Sequence, residues 1–166
     1  MNAFEDYSKR ALQVLFIARL RATQVGAQVL DIDHLLWALV VEDQGGDAMK
    51  GLFGTPITPD HSISQKSFNA KSHDSFLASE IAAKGVAQIS NELPKLASVP
   101  ATADMPTSDS LGRVLERAKV LAANLGQPRI HPLHLLAAVL TEPEVRGVKV
   151  LLDNGVSPQK ALDAIP

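Results

Sequence analysis

The sequence repeats itself at an offset of one hundred residues, without a gap, so whatever structure the first copy adopts the second must be able to adopt as well. Ser8 matches Ser108, Val14 and Leu15 match Val114 and Leu115, Ala18 and Ala22 match Ala118 and Ala122, and Gly26 matches Gly126. His34, Leu35, Leu36, Ala38 and Glu42 then match His134, Leu135, Leu136, Ala138 and Glu142, which makes 11 identities over the 35 positions from Ser8 to Glu42. Conservative pairs, such as Arg19 with Lys119 and Leu30 with Ile130, extend the correspondence.

The apolar spacing inside each copy is helical. Ala11, Val14, Leu15, Ala18, Ala22 and Val25 step by three or four, as do Leu111, Val114, Leu115, Ala118, Ala122 and Leu125. Each stripe runs into a glycine, Gly26 or Gly126, where a left-handed cap can end the helix. A shorter leucine-rich helix follows, started by Asp31 as cap in the first copy and by Pro132 in its first turn in the second. Residues 46–54 and 146–155 read as a third helix in each copy, the latter closed by Asn154 and Gly155, and a last short helix starts after Ser157.

The segment between the copies is of another kind. Thr55 to Ser75 holds Pro56, Pro59 and five serines and reads as an exposed loop or linker. Leu77, Ile81, Ile89, Leu93 and Leu96 mark a middle helix that Pro94 ends or kinks, before a second loop with Pro100 and Pro106. No strand pattern stands out. The expected fold is all-α: two pseudo-symmetric repeats of a small helical bundle, at about 4–54 and about 108–166, joined across 55–107 by a linker and an additional middle helix, all within a single domain.

Composition narrows the function classes. A chain of 166 residues with 46% hydrophobic and 20% charged side chains lies far from the disordered corner and can bury a core. The absence of cysteine excludes a disulfide framework, a thiolate metal site and a cysteine nucleophile. The net charge of −2 is spread over all three segments, with 5 basic and 7 acidic residues in 1–54, 4 and 5 in 55–107, and 7 and 6 in 108–166, and gives no electrostatic reason to expect nucleic acid. No apolar run approaches the roughly 20 residues of a spanning helix, and the N-terminus lacks the pattern of a secretory signal, so a cytoplasmic protein without membrane contact is expected. No phosphate-loop motif occurs, so the chain carries no recognisable Walker cradle for ATP.

In register, these features resemble the Clp repeat (Clp R) N-terminal domain of Clp-type AAA+ unfoldases, over roughly two thirds of the chain. The family's aromatic-Thr-x-Arg-Ala opening corresponds to Tyr7-Ser8-Lys9-Arg10-Ala11, its leucine-glycine helix end to Val25-Gly26, and its Gly-Thr-Glu-His-Leu-Leu to Asp31-Ile32-Asp33-His34-Leu35-Leu36. The second copy keeps Ser108, Leu125-Gly126 and His134-Leu135-Leu136, but has Ser110-Leu111 where the Arg-Ala pair belongs. The resemblance implies a non-catalytic module that binds adaptor proteins, peptide segments or unfolded substrates for an AAA+ motor attached in cis or met in trans. It also implies that the polar pairs with which some members hold phosphorylated arginine fall on Ser8 with Asp33 and on Ser108 with Leu133, so that the second has lost its carboxylate. An alternative is a stand-alone domain that regulates an unfoldase by competing for its adaptors.

Individual side chains sharpen this picture. His34 and His134 are read as imidazoles bonded near a helix start and packed between the halves, in preference to ligands or catalysts, since no nucleophile is registered with them. His131 and His134 stand at H-x-x-H spacing, but a zinc site would need a further ligand from His61 or His73, and Pro132 lies between the pair, so neither metal nor cofactor is expected. Phe16 and Ile17 stand opposite Glu116 and Arg117. This additional apolar face is either covered inside the domain, the reading favoured by ordinary burial, or left as a groove for a protein partner. Trp37 is placed in the core. The narrow stripes suggest a monomer.

Overall fold

The computed structural model describes residues 3–45, 75–92, 105–142 and 144–165. Seven α-helices occur among them: α1 Lys9–Gln24, α2 Ile32–Gln44, α3 Ser79–Glu92, α4 Asp109–Asn124, α5 Pro132–Val139, α6 Arg146–Asp153 and α7 Pro158–Asp163, preceded by a 3-10 turn at Ala3–Asp6. The fold is all-α, and the described residues contain no strand, only two isolated bridges. The third helix expected over 46–54, the loop over 55–74 and the proline expected to end the middle helix, Pro94, lie outside the described residues.

Both copies start and stop their long helix in the same way. Ser8 Oγ accepts the Ala11 N–H, and Ser108 Oγ the Leu111 N–H, each at 3.1 Å, which satisfies one orphan donor of the first turn. At the other end Gly26 and Gly126 take φ of 76° and 68°. Ala27 and Gln127 donate back to the carbonyls of Ala22 and Ala122 at 2.9 Å, the six-to-one bond of a Schellman cap. A side chain at these φ values would cost roughly 1 kcal/mol or more, which is the physical reason for the repeated glycine.

The leucine-rich helices form the centre. In α2 every residue from His34 to Asp43 is buried, and in α5 every residue is, the pattern of a helix covered on all sides. Helix α1 packs on α2 and α4 on α5, while α2 and α5 pack on each other across the two copies. The second copy adds α7 against α5, and α3 bridges the halves by packing on both α2 and α6. Of the stripe expected for the middle helix, Leu77 and Ile89 are buried and Ile81 is half-buried, Ala82 and Gly85 take up the buried face between them, and Leu93 and Leu96 lie outside the described residues. Gly85 and Gly147 let α3 and α6 approach closely: a Cβ on Gly147 would lie 2.7 Å from Ile89 Cγ1 and 2.9 Å from Leu36 Cδ2.

Candidate functional site

The two copies are tied together reciprocally by the segments that lead into their helices. Tyr7 bridges Ile130, and Leu30 bridges Thr107, the same pair of positions with the copies exchanged. The Ser8 N–H donates to the Ile130 carbonyl at 3.0 Å and the Ile130 N–H to the Asp6 carbonyl at 2.7 Å. In the mirror junction Ser108 N–H donates to the Leu30 carbonyl and Leu30 N–H to the Pro106 carbonyl, both at 2.9 Å. Each capping serine therefore abuts the start of the other copy's central helix.

This crossing bears on the polar pairs that the resemblance implies, Ser8 with Asp33 and Ser108 with Leu133, each within one copy. In the fold Ser8 adjoins the α5 start, which carries Leu133, whereas Ser108 adjoins the α2 start, which carries Asp33 in its first turn. Ser108 Oγ donates directly to Asp31 Oδ1 at 2.8 Å. The carboxylates thus stand at the Ser108 junction, and the junction without them is the one at Ser8. A duplicated sequence identifies equivalent positions but carries no information on which copy touches which.

The junctions differ in shape as well as charge. Beside Ser108, the residues Thr107, Asp109, Gly112, Arg113 and Glu116 line a shallow open groove of about 620 Å³. Gly112 leaves its floor bare, since a Cβ there would meet nothing within 4 Å. Beside Ser8, a cavity of about 30 Å³ lies between Arg10 and Glu42 on one side and His131 to Leu133 on the other, room for about one water and no more. On the outer face of α1, Phe16 occupies the position of groove-lining Glu116 and is 66% exposed, against the burial expected of it, whereas its neighbour Ile17 is 1% exposed and belongs to the core. Ile17 is withdrawn from any surface ligand.

The repeated histidines act at the helix starts. His34 Nδ1 accepts the Asp31 N–H at 3.0 Å, and His134 Nδ1 accepts the His131 N–H at 2.8 Å, each closing a capping box in which histidine stands where glutamate or glutamine is usual. Both Nε2 atoms are buried without a hydrogen-bond partner. Burial holds both pKa values below the ordinary histidine range, with Asp31 raising and Arg21 lowering that of His34 to smaller extents. His131 accepts the Leu133 N–H on its own Nδ1 at 3.1 Å, so the H-x-x-H pair is engaged in capping. The two residues that could complete a metal site with it, His61 and His73, lie outside the described residues, and no group of three metal-ligating side chains occurs among those described.

Charge pairs that the sequence analysis missed hold each copy together. Glu42, 3% exposed, accepts two bonds from Arg10, Nε to Oε1 at 2.7 Å and Nη2 to Oε2 at 3.0 Å. Its counterpart Glu142 is met by Arg117 at 3.2 Å. The arginine comes from a different turn in each copy: Arg10 has Ser110 opposite, and Arg117 has Ile17. The signal was available in those two columns, where loss at one position accompanies gain at the other. Trp37 is fully buried with the Arg21 guanidinium 4.6 Å above its ring centre, and the second copy replaces both residues, by Ala137 and Leu121.

Comparison with known proteins bears on the fold. No protein-family profile matches the sequence, and no curated protein does. Solved structures do match. One comes from structural investigations of a malarial protein secretion system, at 18% identity and a TM-score of 0.62, covering 96% of this chain and 90% of the other. Another is the N-terminal domain of the caseinolytic-protease-associated chaperone ClpD from Arabidopsis thaliana, at 18% identity and a TM-score of 0.57, covering 98% and 94%. The chain has the fold of a Clp N-terminal domain.

Proposed function

We propose that this chain, built on the Clp N-terminal fold, is a non-catalytic interaction module that receives adaptor proteins, peptide segments or unfolded substrates for a Clp-type AAA+ unfoldase or protease. The observation that carries the reading is the open groove at the Ser108 junction, where the start of the second copy meets the acidic start of α2. The groove is lined by the second copy, from Thr107 to Glu116, and offers polar groups without disturbing the core. Asp109, Arg113 and Glu116 supply charge there, and Ser108 joins the groove to Asp31 of the first copy. Phe16, on the outer face of α1, offers an aromatic anchor of the kind enriched where protein partners bind. The Nδ1 atoms of His34, His131 and His134 are occupied in capping.

Two-dimensional NMR titration with a permanently unfolded protein, such as reduced and carboxymethylated α-lactalbumin, tests the reading. The expected result is a set of shifted amides around Ser108, Gly112 and Glu116, and a second set around Phe16. Gly112→Trp, which fills the groove, and Phe16→Ser should each weaken binding roughly tenfold, the scale of a hot-spot residue, with an unchanged helical spectrum. Saturating probe that leaves these amides unmoved, or variants that bind as well as the parent, would sink the proposal.

A further inference from the structure

The start of α5 is held together by two histidines at once. His131 Nδ1 accepts the Leu133 N–H, and His134 Nδ1 accepts the His131 N–H, with the rings edge to face at 6.4 Å between centres. A nitrogen whose lone pair accepts a hydrogen bond cannot carry a proton, so each bond exists only while its imidazole is neutral. A proton on either ring would break a cap bond and set a positive charge at the positive end of a helix. His134 is fully buried and its Nε2 has no partner, so a cation there would be unpaired.

The surroundings of His131 do not welcome the charge. From α1 comes Arg10, from α2 come Glu42 and Asp43, all lining the same small cavity, and from its own helix comes His134. Glu42 is bound at both oxygens by Arg10, and Asp43 accepts the backbone N–H groups of Phe76 and Leu77 at 2.8 and 2.9 Å. Asp6, joined to Ile130 through its carbonyl, turns its carboxylate to Lys119 at 3.5 Å. On α4, Arg117 bonds the Ala138 carbonyl and Glu142 at the far end of α5, and on α7 Lys160 and Asp163 bond the Gly155 carbonyl and Gln159. Burial first, then Arg10 and His134, push His131 down to about 4. A base depressed in the folded state stabilises it above the ordinary value of about 6.5, and that stabilisation is lost as pH falls below it.

We infer that the α5 start is an acid-released clasp: proton uptake by His131 and His134 uncaps this helix and opens the Ser8 junction before the Ser108 junction yields. The asymmetry follows from the caps. The first copy places Asp31 where the second has His131, and a carboxylate remains an acceptor through the pH range in which imidazole takes a proton. The first copy has one titrating imidazole at its helix start, His34, and the second has two.

Amide hydrogen exchange on the full chain at pH 7.5 and 5.5, corrected for the intrinsic pH dependence of exchange, reads this directly. Ser8 and Ile130 report on one junction and Ser108 and Leu30 on the other, since all four N–H groups bond across the seam. Acidification should lower protection at Ser8, Ile130, His134 and Leu135 about tenfold more than at Ser108, Leu30, His34 and Leu35, the effect of one group rising from about 4 to 6.5 on opening. His131→Asp, which gives the second copy the cap of the first, should abolish the difference, and His131→Asn, which caps without titrating, should do the same. Equal acid sensitivity of the two junctions in the parent chain overturns the inference, as does an unchanged difference in either variant.

Discussion

Single side chains set how each copy tolerates its buried charge. Glu42 is almost fully enclosed, and removing Arg10 would leave a desolvated carboxylate without its two strongest donors. Breaking a fully buried pair costs about 3–5 kcal/mol, and because Arg10 is itself 38% exposed solvent screening brings the cost below that range. Arg10→Ser, the residue of the second copy, should therefore cost about 2–3 kcal/mol in urea denaturation. Arg117→Ile, the residue of the first copy, should cost less, because Glu142 keeps 18% of its side chain in water against 3% for Glu42. Equal losses would mean that burial does not govern these pairs. At this scale the sequence displays the substitutions but not the compensation: both arginines are visible, and the shared glutamate stands as an identity that does not show it is the reason for them. Phe16 and Ile17 make the same point. Adjacent apolar residues on one helix face directions about 100° apart, so one enters the core and the other need not.

Elements were the most legible level, because helical spacing, serine caps and glycine stops are local and each copy states them independently. What spacing left open is which helices approach closely. Gly147 stands under Ile89 and Leu36, at distances no Cβ can occupy without displacement. Gly147→Ala should destabilise by about 1–3 kcal/mol through overpacking, despite a helix-propensity gain of about 1 kcal/mol. Gly112→Ala is the counterpart in α4, where the added methyl meets nothing, and it should stabilise by up to about 1 kcal/mol. Thermal unfolding of the two variants gives opposite signs if contact decides, and the same sign if propensity alone does.

The molecule as a whole depends on the seam. Helix α5 is buried on every side, and part of that cover comes from α1 and α2 of the other copy. A fragment of residues 105–165 should consequently lose cooperative unfolding and bind a hydrophobic dye such as ANS, although it contains a complete sequence repeat. A sharp two-state transition in that fragment would show that the second copy is self-sufficient. The small cavity beside Arg10 likewise exists only once both copies are in place, since its lining comes from each.

By itself the sequence determined the duplication, the all-helical character, the caps and stops of the long helices and the resemblance to Clp N-terminal domains, because these rest on spacing along one chain. Tertiary structure alone decided that the copies cross, so that Ser108 and not Ser8 meets the acidic helix start, and that Phe16 stays outside while Ile17 goes in. The physical reason is symmetry. Two equivalent copies can satisfy the same backbone donors within themselves or across an axis, and that choice lies in the packing of α2 against α5, which no local pattern encodes.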